Sequence, residues 1–209
     1  MNTPTHPPAG LRERKKVKLR RTIQAEALRL FGSRGYEQTT VEQIADAAET
    51  STTTFYRYFA TKEDVVLDDD YEPIVEATIA GRPEGEALTD TFRAAAAAVA
   101  AASEADQDFN LARLSLIATA PALDARYAGE RRRSIDLIAR LLAGRTGRTA
   151  GDYQVQLTAA AFMAVLLTAS QRWAADGGAV PLRTLVDQAV TTVEPLLAAL
   201  EPPARPGLT

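Results

Sequence analysis

Apolar residues recur at three- and four-residue spacing along nearly the whole chain, and no alternation of apolar and polar residues is long enough to predict a strand. This pattern predicts an all-α fold of about nine helices. The first helix is expected from about Val17 to Arg34, with Gly35 as a left-handed stop and a buried face of Ile23, Ala27, Leu30 and Phe31. Later helices are expected over residues 87–103, 108–119, 122–143, 152–175 and 182–200.

Residues 40–63, TVEQIADAAETSTTTFYRYFATKE, contain two short helical patterns that meet at a tight turn. Thr40 is a good N-cap because its hydroxyl can accept from the backbone three residues on, while Gln43 reaches back to the N–H of Thr40. Ser51 gives a second start signal, and the helix that follows has about two turns, too few to be stable alone. Phe55 and Phe59 must therefore anchor it to its neighbours. This arrangement predicts a helix-turn-helix domain over residues 11–61.

The opposite flank of the second short helix carries hydroxyl, aromatic and basic side chains: Thr52, Thr53, Tyr56 and Arg57. Such a flank suits the DNA major groove, where threonine and arginine donate to base edges and tyrosine reaches phosphate oxygens. The alternative interpretation is structural, because aromatic residues at helical spacing are most often core and short threonine-rich segments are often capped turns. Agreement across the whole segment favours DNA binding.

A third start signal at Thr61, with Asp64 three residues on, predicts a helix from Lys62 to about Ile79. Pro73 lies inside this helix and predicts a kink or break near Tyr71-Glu72, because proline lacks the N–H donor and clashes with the preceding turn. No repeat or linker divides the remainder, so residues 62–200 are expected to form one helical domain. Residues 1–10 and 201–209 are expected to be disordered tails.

The charge of the chain is distributed unevenly between its two ends. Residues 1–63 hold 11 Lys and Arg against 7 Asp and Glu, a net of +4, while the remainder holds 13 against 20, a net of −7. Seven basic residues lie just ahead of and within the first helix: Arg12, Arg14, Lys15, Lys16, Lys18, Arg20 and Arg21. A solvated cluster is the common fate of such a run. Beside a helix-turn-helix it predicts an arm that contacts phosphates.

The composition excludes several kinds of site. The chain has no cysteine, which excludes disulfides, thiolate metal ligands and cysteine nucleophiles. Its single histidine, His6, lies in the N-terminal tail, so neither a catalytic triad nor a histidine metal site is expected. No catalytic residue, metal or cofactor is therefore predicted. No apolar run reaches the roughly 18 residues of a membrane span, so the protein is expected to be soluble and cytoplasmic, without a membrane partner.

Residues 17–63 resemble the DNA-binding domain of the TetR family of transcriptional regulators, and the run LRLFGSRGYEQTTVEQIADAAETSTTTFYRYFATKEDV resembles that family's signature almost end to end. The resemblance implies phosphate contacts from Thr40, Tyr56 and Lys62. It implies base or backbone contacts from Ser51, Thr52, Thr53, Thr54 and Arg57. The chain departs from the family at Glu49, where glycine is common, and at Thr50, where valine is common.

The resemblance also implies a homodimer in which the last two helices of each subunit form a four-helix bundle. Two reading heads would then bind a palindromic operator on double-stranded DNA. Candidate interface residues are Leu157, Ala160, Ala161, Ala164 and Leu167 on the first of these helices, and Leu185, Val186, Ala189, Val193 and Leu196 on the second.

Regulators of this kind hold a small molecule among their middle helices. Apolar candidates, each also suitable as plain core, are Phe109, Leu116, Phe162, Met163, Leu166 and Trp173. Three arginines at interior-leaning positions, Arg113, Arg126 and Arg172, are further candidates, because a buried arginine needs a carboxylate or phosphate partner. The segment LARLSLIATAPALDARYAGERRRSIDLIARLLA, with the later QRWAADGG, resembles the C-terminal domain of an actinobacterial TetR subgroup described as binding acyl-CoA-like ligands, which includes regulators linked to the mycofactocin system. This resemblance implies an acyl-CoA or fatty acid as effector.

Together these interpretations predict a ligand-responsive homodimeric repressor that a small apolar or acyl-CoA-like effector releases from its operator. Two alternatives remain open: a ligand-independent activator or architectural DNA-binding protein, and an enzyme with a DNA-binding-like head. The side chains left as catalysts are those of Asp, Glu, Lys, Tyr and Ser, and they show no spaced pair, which disfavours the enzyme.

Overall fold

The computed structural model describes residues 10–69 and 71–201, with the backbone alone for residues 11–13. Residues 1–9 and 202–209 of the predicted tails, and with them His6, lie outside the described residues. Ten α-helices and no strand occur in the part of the chain described: α1 (Leu11–Arg34), α2 (Val41–Ala47), α3 (Thr52–Tyr58), α4 (Asp64–Leu67), α5 (Tyr71–Ala80), α6 (Leu88–Ala105), α7 (Gln107–Thr119), α8 (Pro121–Thr146), α9 (Tyr153–Ala175) and α10 (Leu182–Ala198). The all-α prediction is confirmed, and the helices from α6 onward lie close to their predicted bounds.

The helix predicted from Lys62 to Ile79 is two helices in the structure. α4 ends at Leu67 and α5 begins at Tyr71, so the break precedes the residues at which a kink was predicted. Pro73 is the third residue of α5, and the backbone N–H at that position would have no acceptor within the helix in any case. A break was predicted near Tyr71-Glu72, but its assignment to Pro73 was wrong, because a proline in the first turn of a helix costs no hydrogen bond.

The chain divides into two compact units, of which the first ends at Asp68 and the second begins at Asp69. This boundary lies later in the chain than the predicted one, which followed residue 61. α4 belongs to the first unit because its Val65 and Val66 side chains are fully buried there. Gln24 of α1, itself buried, donates from Nε2 to the carbonyl of Val65 at 3.2 Å and to the carbonyl of Asp68 at 3.1 Å. These contacts hold the end of the first unit against its longest helix.

α1 begins at Leu11, earlier than predicted, so the basic cluster expected as an arm lies along the helix itself. The predicted buried face of this helix is confirmed: Ile23, Ala27, Leu30 and Phe31 are all buried. Gly35 follows the helix with a φ of 89°, which glycine adopts without steric cost. Its ψ of 151° lies outside the left-handed helical region that was predicted.

The second unit is centred on α6, α9 and α10, with α8 packed on α9. The rings of Phe92 on α6 and Phe162 on α9 meet edge to face, with 5.4 Å between their centroids and 82° between their planes. Trp173 of α9 is fully buried in the same core. The alanine-rich α6 contributes Ala95, Ala96 and Ala100 to this core, which is consistent with small side chains at a close helix contact.

The face predicted for self-association is only partly available. Val186 and Val193 are buried in the core of their own chain, so their assignment to a subunit interface was wrong. On α9 the predicted residues remain more open, and Leu157, Ala160 and Ala164 are exposed.

α9 is long and apolar enough to cross a membrane by length and composition, with a mean hydropathy of 1.3 over a window of which 28% is buried. Polar residues such as Gln156, Thr158 and Thr168 interrupt this helix, so it does not contain an uninterrupted apolar run of that length. Core helices of globular domains have the same length and composition, and α9 packs against α7, α8 and α10 of its own unit.

The turn between α2 and α3 has the hydrogen bonds of a Schellman motif. The N–H of Glu49 donates to the carbonyl of Asp46 at 3.1 Å, and the N–H of Thr50 donates to the carbonyl of Ala45 at 2.9 Å. Glu49 occupies the position that glycine favours in this motif, and its φ of 51° is the only positive value at a non-glycine residue in the described chain. A residue with a Cβ atom is disfavoured there by roughly 1 kcal/mol.

Replacing Glu49 with glycine should stabilise the first unit by up to about 1 kcal/mol, because glycine adopts a positive φ freely. Glu42→Gly is the matched control, since Glu42 is also exposed but lies within α2. Glycine inside a helix costs about 1 kcal/mol. Amide hydrogen exchange across α1 to α4 should show slower exchange for Glu49→Gly and faster exchange for Glu42→Gly. Loss of protection in Glu49→Gly would contradict the strain assigned to this turn.

Candidate functional site

Side-chain caps fix the starts of α2 and α3. Thr40 Oγ1 accepts the N–H of Gln43 at 3.3 Å, and Gln43 Oε1 accepts the N–H of Thr40 at 3.1 Å, which is the predicted capping box. Ser51 Oγ accepts the N–H of Thr54 at 3.1 Å and donates to Thr54 Oγ1 at 3.0 Å. Three of the predicted DNA-contacting residues thus also set where the two helices begin.

Two buried phenyl rings determine the rotation of α3 about its axis. Phe55 and Phe59 are 0% and 1% exposed, and their ring centroids lie 5.8 Å apart. The guanidinium of Arg20 on α1 lies 5.5 Å from the centroid of the Phe59 ring. The predicted anchoring of this short helix by two aromatic residues is confirmed.

With the phenyl rings inward, α3 presents Thr53, Tyr56 and Arg57 to solvent, and we call these three residues the reading face. Tyr56 is 54% exposed, unusual for so large a side chain, and Thr53 and Arg57 are also exposed. Residues three and four apart share one side of a helix. Thr52 and Thr54 are half-buried at the edges of this face. The structure therefore gathers hydroxyl, phenol and guanidinium donors on one open flank.

Lys62 has contacts inside the first unit that the sequence did not indicate. Its Nζ donates to the carbonyl of Tyr36 at 3.0 Å and to the carbonyl of Thr39 at 3.2 Å, and it lies 4.1 Å from the centroid of the Tyr36 ring. Two of the three ammonium donors are thus used to hold the loop between α1 and α2. A phosphate contact by Lys62 stays a prediction.

Tyr36 also links this loop to the start of α4. Its hydroxyl donates to Glu63 Oε1 at 2.5 Å. Burial alone would raise the pKa of Glu63, but the hydrogen bond from Tyr36, further bonds from its own backbone and Thr61, and the charge of Lys62 outweigh it and lower the pKa. Glu63 is therefore held as a carboxylate, and its hydrogen bond with the hydroxyl fixes the position of the Tyr36 side chain.

The basic cluster of α1 is mostly exposed. The exposed members are Arg14, Lys15, Lys16, Lys18 and Arg21. Arg20 is half-buried and lies 3.5 Å from the carboxylate of Asp68, while the side chain of Arg12 lies outside the described part of the chain. Exposed cations on the same unit as the reading face favour phosphate binding.

The apolar residues predicted to contact a ligand belong to the second unit and divide into two groups. Phe162 and Trp173 are buried core residues, while Phe109, Leu116, Met163 and Leu166 are partly buried. The indole Nε1 of Trp173 is buried and has no hydrogen-bond acceptor among the described residues. A buried N–H donor without an acceptor is uncommon in folded proteins.

Of the three arginines predicted to face inward, only Arg113 does so. It is 5% exposed, and its Nη1 lies 3.3 Å from Asp69 Oδ2. Arg126 and Arg172 are exposed, and Arg172 Nε lies 2.6 Å from Asp176 Oδ2, so the inward orientation predicted for these two was wrong. Adjacent residues on a helix lie about 100° apart, so Arg172 can face solvent although Trp173 is buried.

A buried polar network beside Arg113 was missed at the sequence level. Tyr71 donates from its hydroxyl to Asn110 Oδ1 at 2.9 Å, and Ser103 Oγ donates to the Tyr71 hydroxyl at 2.9 Å. Asn110 in turn donates from Nδ2 to the carbonyl of Ser103 at 3.1 Å. Asn110 lies on the buried side of α7 together with Arg113. A polar residue at a buried helical position needs a hydrogen-bond partner, and this was the signal in the sequence that could have indicated the network.

Comparison with known proteins agrees with these two units. Residues 23–68 match the family described as bacterial regulatory proteins, tetR family, and residues 86–198 match the family described as MftR C-terminal domain. The chain is 34% identical over 209 residues to the HTH-type transcriptional regulator TcmR of Streptomyces glaucescens, covering 95% of this chain and 92% of that protein. It is 28% identical over 185 residues to MftR of Mycobacterium tuberculosis, covering 86% of each.

Among solved structures, the chain is similar to Thermus thermophilus FadR, a TetR family transcriptional repressor in complex with lauroyl-CoA. The TM-score is 0.58 at 25% identity, with 90% of this chain and 100% of that chain covered. The match to the C-terminal family alone spans more than half of the chain. The chain therefore belongs to the TetR family of bacterial transcriptional regulators, with a helix-turn-helix DNA-binding domain and an MftR-type C-terminal domain.

Proposed function

We propose that this chain is a homodimeric repressor that binds a palindromic operator and is released from it by a small apolar or acyl-CoA-like effector. The observation that carries the proposal is the open reading face of α3 on a helix whose other side is pinned by Phe55 and Phe59. The relatives named above are transcriptional regulators or repressors. A regulator of this kind acts in the cytoplasm of a bacterium.

We assign direct base recognition to Thr53 and Arg57, because hydroxyl and guanidinium groups can hydrogen-bond to base edges in the major groove. Tyr56, at the same exposed flank, has the reach for a phosphate oxygen. The caps Thr40 and Ser51, with Thr52 and Thr54, contribute contacts to the backbone near the helix starts. One seven-residue helix reads few bases, so two half-sites are needed for specificity.

The exposed side of α9 supports a homodimer. Tyr153 and Leu157 are 75% and 41% exposed, and Ala160 and Ala164 continue the same side of the helix. Apolar residues exposed along one side of a long helix mark a protein–protein contact. A two-fold axis beside α9 would pair this surface with itself.

An acyl-CoA-like effector is supported by the ligand of a similar protein and by one observation on the second unit. The repressor from Thermus thermophilus, similar over 90% of this chain, was solved with lauroyl-CoA. In this chain the buried Trp173 Nε1 lacks an acceptor among the described residues, and a carbonyl oxygen on a ligand would satisfy it. A ligand changes operator affinity only if it binds the operator-bound and released states unequally.

Thr53→Ala should change the preference among operator bases by about 1 kcal/mol or more, because a base-edge hydrogen bond is lost. Tyr56→Phe should weaken binding to all sequences by about 1 kcal/mol, because a phosphate hydrogen bond carries no sequence information. Selection of operators from random duplexes, followed by anisotropy titrations against single-base variants, measures both effects. Thr149→Ala, at an exposed loop position of the second unit, is the control and should leave binding unchanged. A uniform loss from Thr53→Ala would contradict its role in base readout.

Ala160→Arg should convert the dimer to monomer, because two large charged side chains would meet at the two-fold contact. Operator affinity should fall by at least about 100-fold as the avidity of two linked reading heads is lost. Ala101→Arg introduces the same side chain at an exposed alanine of α6 and should leave a dimer. Sedimentation equilibrium gives the subunit count of each variant. A dimeric Ala160→Arg protein would rule out this surface as the interface.

Lauroyl-CoA should lower operator affinity at least about 10-fold, a coupling within the ordinary range for allosteric effectors. Trp173 is the only tryptophan, so its fluorescence reports binding to the second unit in the same titration. Binding without release would favour the activator or architectural alternative, and absence of both signals would remove acyl-CoA as the effector class. Mass spectrometry of whatever copurifies with the protein would then identify the class to test.

A further inference from the structure

The ammonium group of Lys62, just ahead of α4, is bound by the loop that joins α1 to α2. Its Nζ donates to the carbonyl of Tyr36 at 3.0 Å and to the carbonyl of Thr39 at 3.2 Å, and it lies 4.1 Å from the centroid of the Tyr36 ring. Carbonyl oxygens and the face of an aromatic ring both attract a cation. We call Lys62, Tyr36 and Thr39 the loop clamp.

The loop is closed around these two carbonyls. Thr39 is 1% exposed, its Oγ1 donates to the carbonyl of Gly35 at 2.8 Å, and its N–H donates to the carbonyl of Tyr36 at 3.3 Å. Lys62 is half-buried, whereas Lys18 of α1 is exposed. The charge of Lys62 is therefore directed into the loop, while the charge of Lys18 lies in solvent.

One peptide group connects the loop clamp to the start of α2. The carbonyl of Thr39 and the N–H of Thr40 belong to the same planar peptide. Lys62 donates to that carbonyl, while Gln43 Oε1 accepts that N–H at 3.1 Å as one half of the capping box. The peptide plane is thus held from both sides, and its orientation sets the position from which the Thr40 hydroxyl caps α2.

α2 carries this effect to the residues that face the DNA. It has seven residues, too few to be stable without its cap and its neighbours. Its Ile44 and Ala45 are buried, and the helix packs against α1 and α3. A change at the start of α2 therefore changes the support of α3 and of the reading face on it.

We propose that Lys62 is a positioning residue for operator binding: it orients the peptide between Thr39 and Thr40, and through α2 it holds the reading face of α3, instead of contacting a DNA phosphate. This role differs from the phosphate contact that the family resemblance implies for Lys62. An ammonium group drawn away to a phosphate would deprive the carbonyl of the buried Thr39 of this donor, which is unfavourable. The inference deepens the proposed function and rests on it for the effect on the operator, but the loop clamp is testable without DNA.

Amide hydrogen exchange of the DNA-free protein is the first test. Lys62→Met keeps an apolar stem and removes the ammonium group, so the amides of Thr40, Gln43 and Ile44 should exchange at least about 10-fold faster, as expected from the loss of a hydrogen bond to a charged group. Amides of the second unit are the internal reference. Lys18→Met, the same change at an exposed lysine, should leave exchange at the start of α2 as in the wild type. Wild-type exchange rates there in Lys62→Met would overturn the proposal.

The salt dependence of operator binding separates positioning from phosphate contact. Each cation that neutralises a phosphate adds about 0.9 to the slope of log affinity against log salt concentration. In titrations at about 50–200 mM salt, with each variant folded, Lys62→Met should bind about 10-fold more weakly at every salt concentration and keep the wild-type slope. A slope smaller by about 0.9 would assign a phosphate contact, and unchanged affinity would limit Lys62 to a role in stability. Either result overturns the proposal.

Lys62→Gln is the second variant, and it keeps the test decisive if Lys62→Met fails to fold. The side-chain amide of glutamine donates hydrogen bonds without carrying a charge. Lys62→Gln should therefore bind the operator with the wild-type slope and recover part of the affinity lost in Lys62→Met, whereas a slope smaller by about 0.9 contradicts positioning. Failure of the wild type to bind any operator would refute the proposed function, and the exchange comparison would still decide whether Lys62 holds the start of α2.

Discussion

The burial of Phe55 and Phe59 is the contact on which the DNA-binding unit depends. α3 has seven residues, and a helix of that length does not form alone in water. Burying each phenyl ring contributes roughly 1.5–3 kcal/mol, enough to offset the ordering of one or two neighbouring residues each. The same burial fixes the rotation of the helix, so that Thr53, Tyr56 and Arg57 face outward. Stability and the orientation of the reading face thus depend on the same two side chains.

The beginning of the second unit is held in a different way. Asp69, Tyr71, Asn110 and Arg113 are joined by hydrogen bonds and an ion pair, not by an apolar core. Water or a ligand can replace a hydrogen-bonding partner atom for atom, whereas an apolar contact that opens leaves its surface exposed. Regions fixed mainly by exchangeable polar contacts open at lower free energy than core helices. The apolar contacts of Phe55 and Phe59 therefore hold the reading face, and the exchangeable polar contacts hold the beginning of the second unit.

Local rules of the sequence predicted much of this structure. The caps of α2 and α3, the buried face of α1 and the two phenyl anchors each depend on residues a few positions apart, and all are present. The failures concern one misread local signal and contacts between residues far apart in the chain. The break before Tyr71 was assigned to Pro73 because the residues that precede Tyr71 include no glycine or proline. Val186 and Val193 are apolar residues that could pack either in the core of their own chain or against a second subunit, and the sequence does not distinguish the two. The pairing of Asp69 with Arg113 joins residues 44 positions apart, and without the fold no rule of spacing connects them.

The magnitude of a regulatory switch limits what an effector of the proposed kind can do through one polar contact. Converting an operator-binding population from 99:1 to 1:99 requires a preference of about 5.5 kcal/mol for the released state. One charged hydrogen bond contributes about 1.5–3 kcal/mol, and each methylene group that the released state buries better contributes about 0.8 kcal/mol. One polar contact in one subunit is therefore too weak, and an effector with a long apolar chain reaches the required preference only if the released state buries that chain better.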